Sequence, residues 1–422
     1  MKKIAFLFPG QGSQYPGMGK GFYESNQSVK RVFEEVSDSL GIDMAKLCFE
    51  STPAELVKTE NTQPAILTVS VAMFQIFMDR VGAEPDYLAG HSLGEFSALV
   101  CAGGIGLGDA ARIVRQRGRF MQEAVSLGAG AMAAISGIDL DSIKKQCLLL
   151  QHEGKAVVIS NYNSPDQTVI SGTAAGVEEA SRELTKHGAT AIPLHVSAPF
   201  HSQLMTAAAD KLGDELEKYT YHPLKWPVIS NVTALPYQNE HIIKNLLAEQ
   251  MSKPVQWVYT MNYLASEGVQ AFIELGPKDV LKKLAMVNTP KLEAYSFDKP
   301  EDMDQISSLS DDEPQTKNFS KIKLLTRSLA IAICTPNKNW DDMEYRQGVI
   351  EPYKRIERMV EDLEQNMLEP TTEQMSEALE MLLSVFRTKR TPIEEQKQRF
   401  NQLISELGME EFITGVITVS MG

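Results

Sequence analysis

The chain has 422 residues, enough for two or three domains at roughly 150 residues each. Hydrophobic residues make up 43% and charged residues 23%, the balance of a globular protein with a sizeable core. Lys and Arg number 41 against 55 Asp and Glu, and a net charge of −14 speaks against coating a nucleic-acid phosphate backbone.

The first predicted element is the apolar run 4–8, stopped by Pro9-Gly10. It reads as a buried parallel strand and is too short for the apolar region of a signal peptide. A helix is predicted over 61–81, with Pro64 near its start. A brief strand at 87–89 feeds a glycine turn, followed by helices at 93–102 and 112–123. Strands at 131–135, 156–161, 168–171 and 190–194 enclose helices at 140–150 and 174–186. Residues 129–195 therefore read as a βαββαβ-like unit inserted in a larger α/β domain. Short buried strands at 228–230 and 271–275 return to that domain.

After residue 290 the composition changes. Residues 291–422 carry 16 basic and 25 acidic side chains but only 4 of the 28 glycines. Residues 298–320 are acidic and polar, with Pro300 and Pro314, and read as a linker. Helices are predicted at 321–333, 343–368, 372–386 and 392–407, the second with apolar residues every three or four positions. The expected division is a core of 1–128 and 196–290, a subdomain of 129–195, an acidic linker of 291–320 and a helical extension of 321–422. No run approaches the ~20 apolar residues that span a bilayer. Cys48, Cys101, Cys147 and Cys334 form no CxxC pair. A soluble cytoplasmic protein with no metal site, no nucleic-acid partner and no membrane partner is expected.

Gly90-His91-Ser92-Leu93-Gly94 is a GxSxG sequence between a strand and a helix. It reads either as a turn of ordinary turn formers or as a sharp bend that exposes a nucleophilic serine at a helix N-terminus. A serine needs a base, and His201, in the loop Pro199-Phe200-His201-Ser202, is the leading candidate. His91 adjoins Ser92, and neighbouring side chains on a bend diverge, so it reads as structural or at the substrate's edge. His152 and His187 lie in charged segments, while His195, His222 and His241 lack a partner motif. Pro9-Gly10-Gln11-Gly12-Ser13-Gln14 follows the first strand. It is either a tight turn or a loop aiming backbone N–H groups at an oxyanion, and it is no Walker A loop. In Arg115-Gln116-Arg117-Gly118-Arg119, residues 115 and 119 share a helix face and 117 points elsewhere. The run is either a solvated face or places Arg117 inward to grip a carboxylate.

Taken in order, these motifs resemble the malonyl-CoA:acyl carrier protein transacylase family. Asn61-Thr62-Gln63-Pro64-Ala65, Asn161-Tyr162-Asn163-Ser164-Pro165, Gln250 with Pro254-Val255-Gln256-Trp257, and Glu274-Leu275-Gly276-Pro277 extend the resemblance to about residue 290. The whole chain is similar to discrete, trans-acting transacylases of iturin- and mycosubtilin-type hybrid polyketide–peptide synthases. The resemblance implies an α/β-hydrolase-like large domain with a parallel sheet, an inserted ferredoxin-like subdomain and a helical C-terminal extension. It implies Ser92 as the nucleophile that forms a malonyl ester and His201 as its general base. Backbone N–H groups of Gln11 and Leu93 would form the oxyanion hole, and Arg117 would bind the malonyl carboxylate. Gln250 would hold His201 through its main-chain carbonyl, with no aspartate required. Phe200 and His91 would border the substrate, Phe200 matching the malonyl-preferring version of its motif. Phe96 departs from the tyrosine the family often carries there. Malonyl-CoA would be the donor, the phosphopantetheine thiol of an acyl carrier protein or carrier domain the acceptor, and no cofactor would be permanently bound.

The competing reading is a serine hydrolase, such as a thioesterase that edits carrier-bound acyl groups. It shares Ser92 and His201 but wants an acid between them in chain order, where Asp139, Asp141 and Asp166 are available. In the extension, the apolar stripes would pack on the body or dock a carrier or synthase. Arg387-Thr388-Lys389-Arg390 is a basic patch suited to an acidic carrier or a solvated turn.

Overall fold

The computed structural model describes residues 2–124, 129–194, 196, 198–309, 316–365, 370–407 and 409–421. His195 and residues 310–315 of the expected linker lie outside them, as do residues 366–368 of the helix predicted over 343–368. The chain divides into two compact units, Met1–Asp311 and Asp312–Gly422.

The strands of the first unit are β1 (Ile4–Phe8), β2 (Tyr87–Gly90), β3 (Gly130–Ser136), β4 (Val157–Ser164), β5 (Gln167–Thr173), β6 (Thr190–Pro193), β7 (Val228–Ile229), β8 (Ala271–Glu274) and β9 (Glu293–Ser296). Five of them form one parallel sheet in the order β7-β2-β1-β8-β9. Every residue of β1 is buried, as expected of a central strand with both faces covered by helices. The other four form an antiparallel sheet in the order β4-β5-β3-β6, with the helices Leu140–His152 and Ala174–Lys186 as crossovers. This is the ferredoxin-like arrangement, and its own core includes Ile135, Ile143, Ile170 and Leu184.

Helices grip the parallel sheet through apolar and small residues. The helix Thr59–Arg80 is buried almost without interruption from Thr59 to Met73, and it packs against the helix Leu107–Glu123. Phe6 meets Phe77 edge-on at 4.8 Å.

The expected acidic linker is in part ordered body. β9 pairs with β8, Phe297 stacks on Phe22 at 5.6 Å, and Ile306 is buried in the large core. Buried Asp302 is paired with Lys282 at 2.7 Å and accepts from the Ser296 N–H at 2.7 Å. Charge content suggested a solvated segment, whereas one paired acid and a few spaced apolar residues are enough to dock it.

The second unit is helical: Thr316–Cys334, Asp342–Tyr345, a π-helical turn at Arg346–Ile350, Glu351–Gln365, Thr372–Thr388, Ile393–Leu407 and Glu410–Met421. The last was not foreseen, and the helix predicted over 343–368 is broken by the π-turn. Its apolar stripes close on one another in a core that includes Leu325, Ile356, Leu382, Phe386, Leu403 and Ile413. The basic patch at 387–390 is also divided. Lys389 is buried, and its Nζ donates to the Ala332 and Thr335 carbonyls at 2.8 Å each, terminating the helix Thr316–Cys334. Only Arg387 and Arg390 of that patch are exposed.

Candidate active site

The site forms where the loops after β1 and β2 leave the parallel sheet, the usual place for ligands in an open α/β fold. Ser92 follows β2 directly and precedes the helix Leu93–Cys101, with φ 53° and ψ −105°. A non-glycine residue in that region is strained, and strain of this kind persists only where its surroundings enforce it. The glycines explain how: a Cβ on Gly90 would collide with the Gly94 backbone, and one on Gly94 with the Phe8 carbonyl. The bend is thus clamped against β1, and the helix N-terminus points at the serine.

His201, also at positive φ (56°), comes from the loop after the small subdomain. Its Nε2 lies 2.8 Å from Ser92 Oγ, and its Nδ1 lies 2.7 Å from the Gln250 carbonyl oxygen. A carbonyl only accepts, so Nδ1 carries the proton and the Ser92 hydroxyl donates to Nε2. Burial, with help from the nearby Arg117 charge, pushes the His201 pKa down to about 3. The imidazole is therefore neutral and free to take a proton. Asp139 caps the helix Leu140–His152 instead, accepting from the Ser142 N–H at 2.9 Å. Neither it, Asp141 nor Asp166 bonds His201 among the described residues. The residue count of a hydrolase triad is not met.

Arg117 turns inward from the helix Leu107–Glu123 and is 1% exposed. Arg115 instead donates to the Leu40 carbonyl at 3.1 Å, and Arg119 pairs with Glu60 at 2.9 Å. The Arg117 Nη1 donates to Gln63 Oε1 at 2.9 Å, and Nη2 to Ser92 Oγ at 3.1 Å and Gln250 Oε1 at 2.9 Å. Its guanidinium sits 5.5 Å from the Phe96 ring, and burial lowers its pKa to about 10. It stays a cation at neutral pH.

Gln11, Leu93, His91 and Phe200 line the same cleft, of about 570 Å³. Among the described residues no protein acceptor takes the N–H of Gln11 or Leu93. His91 pairs through Nε2 with Asn163 Oδ1 at 2.9 Å and lies 5.4 Å from the Trp257 ring. Burial lowers its pKa, so it too is neutral. Among the described residues no group of three or more His, Cys, Asp or Glu could hold a metal ion.

Sequence reasoning missed three members of the site. Asn231 follows β7. Its Oδ1 accepts from the Ser92 N–H at 2.6 Å and its Nδ2 donates to the Gly90 carbonyl at 2.6 Å, spanning His91 and stapling the bend. Glu95 and Tyr237 lie behind it and bond each other at 2.5 Å. Gln63 and Asn163 stood inside quoted motifs without a role.

A family model described as the acyl transferase domain matches residues 5–324. A malonyl CoA-acyl carrier protein transacylase of Bacillus subtilis is 38% identical over 396 residues, covering 94% of this chain and 99% of that protein. Another of that name, from Bacillus subtilis strain 168, is 47% identical over 302 residues, covering 71% of this chain and 95% of that protein. The chain belongs to the malonyl-CoA:acyl carrier protein transacylase family. A solved malonyl-transacylase in complex with a type II polyketide synthase acyl-carrier protein superposes with a TM-score of 0.70 at 39% identity. That match covers 72% of this chain and 99% of that one. The longer Bacillus relative matches 94% of this chain and so most of the helical second unit, whereas the other matches 71% of it.

Proposed function

We propose that this transacylase moves a malonyl group from malonyl-CoA to the phosphopantetheine thiol of an acyl carrier protein by way of a malonyl ester on Ser92. The observation that carries the residue roles is that one oxygen, Ser92 Oγ, meets both a neutral imidazole at 2.8 Å and a buried guanidinium at 3.1 Å. Ser92 attacks the thioester carbonyl and His201 takes its proton. The tetrahedral oxyanion rests on the N–H groups of Gln11 and Leu93. Its collapse breaks the C–S bond, and His201 returns the proton to the CoA thiolate. The carrier thiol then gives its proton to His201, attacks the ester, and Ser92 leaves with that proton restored.

Arg117 receives the malonyl carboxylate. Its positive charge is one of the causes that keep His201 weakly basic. A carboxylate on the guanidinium offsets that charge and favours imidazolium formation, so malonyl assists the base that loads it. An uncharged acyl group gives no such assistance.

Two finer points belong to the same reading. The enzyme works in the cytoplasm, in keeping with buried, unpaired Cys48, Cys101 and Cys147. Among the described residues no helix is long and apolar enough to cross a membrane. It serves a hybrid polyketide–peptide synthase in trans, and the shared length of the longer Bacillus relative supports a discrete enzyme with an added helical unit. The test mixes malonyl-loaded enzyme with a carrier protein bearing or lacking phosphopantetheine. Transfer to the modified carrier alone is expected, and transfer to water alone would favour the hydrolase.

A further inference from the structure

Glu95 lies three residues beyond Ser92, on the helix Leu93–Cys101, and is fully buried. Both carboxylate oxygens are occupied. Tyr237 Oη donates to Oε1 at 2.5 Å, while Gln250 Nε2 and the Asn231 N–H donate to Oε2 at 2.5 and 3.2 Å. No water is needed to satisfy it.

The consequence lies one residue further on. Burial raises the Glu95 pKa to about 7, but its Oε2 faces two donors and accepts from both, and the Gln250 amide has two chemically different ends. Glu95 therefore fixes the NH2 end of Gln250, together with the Ser92 carbonyl at 3.0 Å. The oxygen end must then face Arg117 Nη2, where it accepts at 2.9 Å. Arg117 is otherwise surrounded by neutral acceptors, Gln63 Oε1 and Ser92 Oγ. Among the described residues Glu95 is the one acid whose charge raises the Arg117 pKa. The Arg117 Nε–H has no protein partner among the described residues, although it is buried. The guanidinium is thus held by one edge and keeps a donor unspent.

We propose that Glu95 is a positioning residue for acyl-group selection: through the Gln250 amide it holds Arg117 in the pose that receives a carboxylate on the incoming acyl group. This rests on the reading of Arg117 as the carboxylate clamp. A glutamine at position 95 is isosteric but can present either end to Gln250. The NH2 end of Gln250 then keeps only the Ser92 carbonyl, at 3.0 Å, as a fixed acceptor, and the amide and the fork it holds lose their second anchor. The charge that offsets the buried cation is lost at the same time. An acyl group without a carboxylate does not bind the fork, so its KM is little changed, whereas any loss of the fork's bond to Ser92 Oγ acts on the rate for both acyl groups.

The test measures acylation of the full-length enzyme by intact-protein mass across concentrations of malonyl-CoA and, separately, acetyl-CoA. Glu95→Gln is expected to raise KM for malonyl-CoA by about tenfold, the scale of one charge-assisted hydrogen bond, with little change for acetyl-CoA. Tyr237→Phe, which frees the other carboxylate oxygen, moves the malonyl value in the same direction by less and serves if Glu95→Gln does not fold. Equal rises in KM for both thioesters would make Glu95 a support of the serine bend and overturn the proposal, as would no change in either. Arg117→Ala separates the two readings. If it abolishes the preference for malonyl while Glu95→Gln leaves it intact, the Glu95 inference alone fails. If Arg117→Ala leaves the preference intact, the clamp itself fails and the inference with it.

Discussion

Asn231 is the residue on which the strained Ser92 bend depends most directly. Its amide makes two 2.6 Å bonds, to the Ser92 N–H and the Gly90 carbonyl, spanning His91 just before the nucleophile. Asn231→Ala removes both and leaves the Ser92 N–H and the Gly90 carbonyl without partners in a closed region. At roughly 1–2 kcal/mol for each such loss, stability should fall by about 2–4 kcal/mol. The kinetic cost follows from position. Ser92 is free to relax from φ 53°, its oxygen drifts from the imidazole, and a shift of about 1 Å is worth roughly 10²-fold in rate. Asn231→Asp is a sharper test. Its Oδ1 still accepts from Ser92, but its second oxygen faces the Gly90 carbonyl and must carry a proton to bond it. Loading by this variant should therefore improve as pH falls, while Asn231→Ala gains nothing from acid. Denaturant unfolding gives the stability, and quenched-flow mass measurement with malonyl-CoA gives the loading rate. A normal loading rate in Asn231→Ala, whatever its stability, would refute the staple.

Further predictions concern stability and the second unit. Burial pushes Glu274 from an ordinary 4.5 up to about 8. Its contribution is thus fully present below about pH 4.5 and is lost as pH rises toward 8, by up to about 4 kcal/mol. Glu274→Gln should flatten the fall in unfolding free energy between pH 5 and 8, and an unchanged slope would assign that fall elsewhere. A chain ending at residue 311 keeps every site residue and should load malonyl at the full-length rate. One ending at residue 290 loses β9, Phe297 and Ile306 and should be insoluble, so equal solubility of the two would contradict the observed edge of the sheet.

What could be read from the sequence was what repeats locally. The GxSxG bend, the all-apolar β1 and the strand–helix alternation of the small subdomain each leave a pattern within a few residues. The network behind Ser92 leaves none, because it is assembled from positions 63, 95, 117, 231, 237 and 250, which only the parallel sheet brings together. Asn231 illustrates the difficulty. A short polar residue after a two-residue strand has the local appearance of a turn former, and its bonds to Gly90 and Ser92 span about 140 positions. Glu95 directly follows the GxSxG sequence, but nothing local distinguishes a buried acid with three donors from a favourable charge in a first helical turn. Gln250 was anticipated through its carbonyl alone, while its side chain turned out to tie Glu95, Ser92 and Arg117 together. The expected linker erred for the opposite reason. Its average composition was acidic, and averages conceal the pairing of Asp302 with Lys282.

The central claim is that Ser92 carries malonyl between two thiols. Intact-protein mass measurement after mixing with malonyl-CoA, before any carrier is added, tests it most directly. A single malonyl adduct on the wild-type chain, absent from Ser92→Ala and discharged by a phosphopantetheine-bearing carrier, is the predicted result. No adduct, or one that survives Ser92→Ala, would contradict it.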